Sequence, residues 1–141
     1  MRKVQPQIAA ADPFVGTWKL NVTKSKEPKV VKSLIVKIEA QGDIFKWTYD
    51  SVDFDGKPLR LEWSGKYDGK DYPVKGDPRW DASAVKRIDA KTIGWIDKRA
   101  GKEVATWQFT VSKDGKTQGW TGKVKDAKGQ EIERSDVFEK K

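Results

Sequence analysis

The chain has 141 residues, carries 29 Lys and Arg against 21 Asp and Glu for a formal charge of +8, and contains neither Cys nor His. That length suits one domain with a real core and is short for two, while the missing residue types exclude disulfides, thiol nucleophiles, zinc–thiolate sites and imidazole chemistry. No apolar run reaches membrane-spanning length, and a composition of 36% hydrophobic and 35% charged residues fits a thin-walled fold whose strands each have one wet and one dry face.

Residues 1–13, MRKVQPQIAAADP, form a flexible polar lead. Its Ala run is like the small-residue end of a secretory signal, although no apolar stretch precedes it, so the lead reads as a signal remnant or an added start. Periplasmic or secreted localisation is the corresponding expectation, with the folded domain running from residue 14 to residue 141. Pro13 stops any helix from continuing, and the first strand is expected from Phe14, with Phe14, Gly16, Trp18, Leu20 and Val22 on one face. The connection that follows holds at most a short helix near Thr23 to Pro28.

From Val31 to Gln41 the pattern turns Leu34, Val36 and Ile38 inward, with Lys32 on the same face, and Gly42-Asp43 makes a turn. Between Ile44 and Val52, Phe45, Trp47 and Tyr49 alternate with Lys46, Thr48 and Asp50, the period-two signature of a half-buried strand. After the turn Asp55-Gly56-Lys57-Pro58, the residues Leu59, Leu61, Trp63 and Tyr67 line the next strand. Asp68-Gly69-Lys70 turns again into the short Tyr72-Pro73-Val74, where Pro73 and Pro78 predict an edge-like or irregular section. Tyr72 and Trp80 in this section are candidate gates over a barrel mouth, or plugs over an adjoining core. Further strands are expected at Ala82 to Ile88, Thr92 to Lys98, Glu103 to Ser112, Thr117 to Lys125 and Gln130 to Lys140. Consecutive hairpins leave no room for crossover helices, so the sheet is all-β, antiparallel and meandering, a single barrel of about eight to ten strands whose closure removes its edges.

Carrying the aromatic parity around this sheet places Trp47, Tyr49, Trp63, Trp95, Trp107, Phe109, Trp120, Arg134, Asp136 and Phe138 on the inner face as candidate ligand-binding residues. Arg87 is in step with Val85, but Ile88 argues for the opposite parity unless a bulge intervenes. Arg134 and Asp136 form either a structural brace or the polar end of a pocket, because a solid core does not normally hold charges. The lysines are scattered through turns and outward positions, with no block of like charge and no RNA-binding signature, so nucleic acid is not an expected partner. Asp53-Phe54-Asp55-Gly56 with Glu62 lacks the further ligands of a calcium loop, and neither metal nor cofactor is expected.

Two stretches carry a resemblance. Gly16-Thr17-Trp18 resembles the Gly-x-Trp of lipocalins and fatty-acid-binding proteins, and Asp136-Val137-Phe138-Glu139-Lys140 is similar to the closing strand of the latter. Nearly everything after Asp12 also resembles small secreted bacterial lipocalin-like proteins, in which GTWKLN, DGKP, KYDGKDYPV, KRID and SKDGKT recur. The resemblance implies a calycin-type barrel with the Trp18 indole across its closed end. Two departures matter: residues 21–30 are too few for the two-helix lid, and the Arg-x-Tyr that holds fatty-acid carboxylates falls at Asp136 and Phe138. A small, largely apolar, ring-bearing ligand in a Trp-lined cavity is therefore the leading expectation. The alternatives are a small barrel enzyme using an interior carboxylate such as Asp97 or Asp136, and a filled barrel acting through its basic surface. The expected state is a monomer or dimer without a membrane span.

Overall fold

A computed structural model describes residues 12–25, 31–76, 80–125 and 128–141. Ten strands follow one another: β1 Gly16–Leu20, β2 Ser33–Gln41, β3 Ile44–Val52, β4 Pro58–Gly65, β5 Asp68–Lys75, β6 Ala82–Asp89, β7 Thr92–Arg99, β8 Lys102–Val111, β9 Thr117–Lys125 and β10 Glu131–Lys140. Each pairs antiparallel with its sequence neighbours, and β10 returns to β1, so the sheet is a closed meander barrel. No helix occurs among the described residues. Residues 1–11 of the lead and residues 26–30, where part of the short helix was expected, lie outside them.

The inward band runs continuously through the register: Trp18 opposite Val36, Val36 opposite Tyr49, Tyr49 opposite Leu61, and later Val85 opposite Trp95, Trp95 opposite Trp107. Because side chains alternate with period two, and the register shifts between β5 and β6, β6 and β7, and β7 and β8 fall outside these pairs, every one of them lies on the dry face. Outward positions pair charges instead, as where the Arg60 guanidinium meets both carboxylate oxygens of Asp50 across β3 and β4.

Three local expectations are corrected. The first strand begins at Gly16 rather than Phe14, because Phe14 sits in a turn whose N–H donates to Asp12 Oδ1 at 3.0 Å. Val22 likewise lies in the turn after β1, and Lys32 precedes β2 as an exposed residue. Asp68-Gly69-Lys70 opens β5 instead of ending before it, and β5 is enclosed by neighbours on both sides rather than lying at an edge. The proline still leaves its mark. Val74 spends its N–H on Asp81 O, so alternation turns the Pro73 nitrogen toward β4, where it has no hydrogen to give. Only Glu62–Lys75 and Trp63–Val74 pair across that seam. The Trp63 indole spans it, donating from Nε1 to Ser83 O on β6 at 3.0 Å.

Candidate functional site

The meander brings the start of β1 and the ends of β2, β4, β6, β8 and β10 to one end of the barrel, and the opposite termini to the other. At the first end the interior is filled. Phe14 and Trp18 are fully buried, Trp18 donates from Nε1 to Phe14 O at 2.9 Å, and Lys140 Nζ lies 5.5 Å from the Trp18 ring centre. Phe45 stacks on Tyr67 at 3.9 Å, and Trp47 Nε1 donates to the Tyr67 hydroxyl at 2.9 Å. Arg87 closes this plug: its guanidinium lies 5.0 Å from the Tyr67 ring and 5.8 Å from Phe14, and pairs with Asp12. The parity question raised by Ile88 is settled in favour of Arg87: unbroken alternation puts Arg87 on the inner face with Val85, while Ile88, at the register shift between Arg87 and Asp89, is 57% exposed. Burial raises the Tyr67 phenol well above its usual value.

Toward the other end the barrel holds a cavity of about 180 Å³. Its walls include Tyr49, Leu61, Trp63, Trp95, Trp107, Phe109 and Trp120, with Arg134 and Asp136 on one side and Leu20, Val31, Leu34, Leu59 and Trp80 also contributing. Eight of the ten residues expected to bind ligand thus line one space. Trp47 and Phe138 do not: Trp47 is fully buried among Phe14, Trp95 and Phe109, and Phe138 packs 4.2 Å from Trp120, so both form the floor beneath it. Of the two candidate gates, Trp80 lies on the lining. Tyr72 lies edge-on to Trp63 at 5.9 Å and bonds Asp68 Oδ2, which places it in the wall beside Gly65. Gly65 is small for a reason: a β-carbon there would stand 2.5 Å from the Tyr72 ring.

The indole N–H groups are already spent. Trp95 Nε1 donates to Asp97 Oδ1 at 2.8 Å, Trp107 Nε1 to Asp97 Oδ2 at 3.2 Å, and Trp120 Nε1 to Gln118 Oε1 at 2.6 Å. Ser83 Oγ adds a third donor to Asp97 at 2.7 Å, so this buried carboxylate ties β6, β7 and β8 together and fixes two indoles. What the walls offer a guest is therefore flat aromatic surface. Asp97 was legible as an inward carboxylate, but its role as a bracket for indoles was not. Ser83 shares parity with Val85 and could have been found by the same rule.

Arg134 and Asp136 sit on adjacent inward positions of β10, with side chains 15% and 10% exposed. Their nearest approach, Arg134 Nη2 to Asp136 Oδ1, is 3.6 Å, beyond an ordinary hydrogen bond, and Arg134 Nε is buried without a partner. Burial raises the Asp136 carboxyl above its usual value, with the guanidinium partly opposing the shift. Gly122 faces both Arg134 on β10 and Trp107 on β8. A β-carbon on Gly122 would meet the Trp107 ring at 2.6 Å, so the indole lies directly over that glycine.

Among the described residues no cluster of acidic side chains is arranged to hold a metal ion, and no helix is long and apolar enough to cross a membrane. No protein-family model matches the chain, and no curated protein matches it in sequence. Solved structures do match in shape. Lobster apocrustacyanin A1 superposes with a TM-score of 0.51 at 12% identity, covering 96% of this chain and 65% of that one. Apocrustacyanin C2 gives 0.51 at 11% identity, covering 98% and 67%, and a de novo designed fluorescence-activating β-barrel gives 0.47 at 14% identity, covering 94% and 98%. The chain thus spans about two thirds of the length of the crustacyanin structures, and at such identities the likeness concerns the fold alone, a closed antiparallel, lipocalin-like β-barrel.

Proposed function

We propose that this barrel binds a small, largely apolar, ring-bearing molecule in the Trp-lined cavity. The observation that carries the reading is the combination of an interior space of about 180 Å³ with indole walls whose N–H groups are occupied. Indole faces stack on flat rings, and apolar area removed from water contributes roughly 25 cal/mol per Å². Size narrows the guest. The space is below the roughly 300–1,000 Å³ of drug-sized pockets and close to the ~150 Å³ of a cavity that admits benzene, so one or two fused rings fit and anything longer projects through the mouth beside Trp80 and Leu59. Asp97 is engaged by three donors as a structural acceptor, which favours binding over catalysis at that carboxylate. Export to the periplasm or beyond belongs to the same reading and is supported by the Ala-rich lead.

Titration with naphthalene, followed through tryptophan emission and by calorimetry, tests this. Saturable binding at micromolar concentration is expected, and Trp107→Ala should weaken it. Emission unchanged up to the solubility limit, with no calorimetric isotherm, would exclude a ring-binding cavity.

A further inference from the structure

We propose that the guest is a planar heterocycle presenting a lactam-type edge, an N–H donor beside a carbonyl acceptor, to Asp136 and Arg134. This rests on the cavity reading above and names the chemistry of its ligand. These four indoles supply no polar recognition, because the N–H groups of Trp63, Trp95, Trp107 and Trp120 all donate to protein acceptors. The charged pair on β10 does. At 3.6 Å neither partner saturates the other, so the guanidinium Nη groups and the carboxylate, both on the cavity lining, keep bonding capacity for a guest. A polar group left in that condition costs stability unless something else completes its bonds. Asp136, acceptor-only when ionised, needs donors in the same way.

The charge balance of the pair narrows the ligand. One guanidinium and one carboxylate sum to zero, and the third charged residue on the lining, Asp97, already accepts from Ser83, Trp95 and Trp107, so a carboxylate on the guest would face Asp136 and an ammonium would face Arg134. A neutral edge carrying both polarities meets both groups at once. A plain hydrocarbon would fill the space but leave both desolvated and unbonded. Placement agrees with this. The Trp107 indole fills the space over Gly122, which is also the register partner of Arg134, so the free face of that indole adjoins β10 and a ring stacked on it presents its rim toward Arg134.

The test compares carbostyril, a two-ring lactam, with N-methylcarbostyril, which lacks the donor, and with naphthalene, which lacks both polar atoms, by calorimetry on the full chain. Carbostyril should bind at least about tenfold more tightly than either of the others, the effect of leaving a buried partner without its bond. Arg134→Met should remove most of that preference while naphthalene binding persists. Equal affinity for all three compounds would overturn the inference and leave the cavity reading standing, whereas binding by none would overturn both. A lactam preference that survives in Arg134→Met would overturn the assignment to this pair. Should the variant fail to fold, the N-methyl comparison on the unaltered chain decides alone.

Discussion

At the closed end Arg87 lies over the Phe14, Phe45 and Tyr67 rings and pairs with Asp12, whereas toward the open end Arg134 stands 3.6 Å from Asp136 with its Nε unpartnered. Both ends use the same materials: an arginine, an aspartate and a group of aromatic rings on the inner face of one barrel. In the first, rings fill the section and the charges are spent on the protein. In the second, rings line a space and bonding capacity is held back. The difference teaches that residue type alone does not separate a plug from a pocket; how fully each polar group is engaged does.

Breaking the floor should have the largest effect. Trp47→Ala removes a fully buried indole and the bond to Tyr67, and should destabilise the fold by about 3–5 kcal/mol, read as a fall in the urea midpoint. A loss under about 1 kcal/mol would mean that the floor is loosely packed. Next comes the bracket. Asp97→Leu leaves the Trp95 and Trp107 N–H groups and the Ser83 hydroxyl without their acceptor and should cost about 2–4 kcal/mol, with naphthalene affinity falling as the two indoles lose their fixed orientation. Unchanged affinity at reduced stability would separate the bracket from the binding wall.

The arginines test the contrast itself. Arg87→Met should destabilise by about 1–3 kcal/mol through lost ring contacts and a stranded Asp12, with naphthalene binding preserved. Arg134→Met should cost less, under about 1 kcal/mol, because its ion pair is long and both side chains stand on the cavity lining rather than in a solid core. The reverse order of losses would make Arg134 a structural brace.

The smallest expected effect depends on pH. The Asp136 carboxyl is raised by burial, so between its native value and the ordinary 3.8 the native state binds more protons than the unfolded chain. Stability from this group therefore grows as pH falls through that window and is lost as pH rises. Asp68 and Asp114, held low by hydrogen bonds from the Lys70 N–H and from Ser112, act in the opposite sense. The stability difference between the parent and Asp136→Asn should shift in favour of the parent on acidification from neutral pH. A shift in favour of the variant would show that Arg134 dominates the carboxylate after all.

Much of this architecture was legible because strand parity is a local property. Six of the ten strands, β3 and β6 to β10, begin and end within one residue of where alternation and turn chemistry place them, and the inward set from Phe45 to Phe138 follows the same rule. β5 was harder: Asp68-Gly69 has the chemistry of a turn, and a register shift between Asp68 and Asp71 accommodates it inside a strand. Depth along the barrel axis was not legible at all. Trp47 and Trp63 have the same parity and face each other across β3 and β4, yet only Trp63 lines the cavity. What separates them is the Phe14, Tyr67 and Arg87 plug, assembled from segments that are distant in the chain. At Ile88 the sequence offered a conflict between an inward Arg87 and an apolar neighbour, and raised a bulge there without deciding it.

The claim that the open end is hollow is tested most directly by filling it. Val124 is half-buried on the lining, and Val124→Phe adds a ring to the space where a guest would sit. If the cavity exists, the variant should keep or gain stability and lose naphthalene binding by at least about tenfold, as apolar surface moves into an existing void. If the interior is solid, the added ring should strain the core and destabilise it by about 1–3 kcal/mol, and any naphthalene binding should persist unchanged, which would contradict the account.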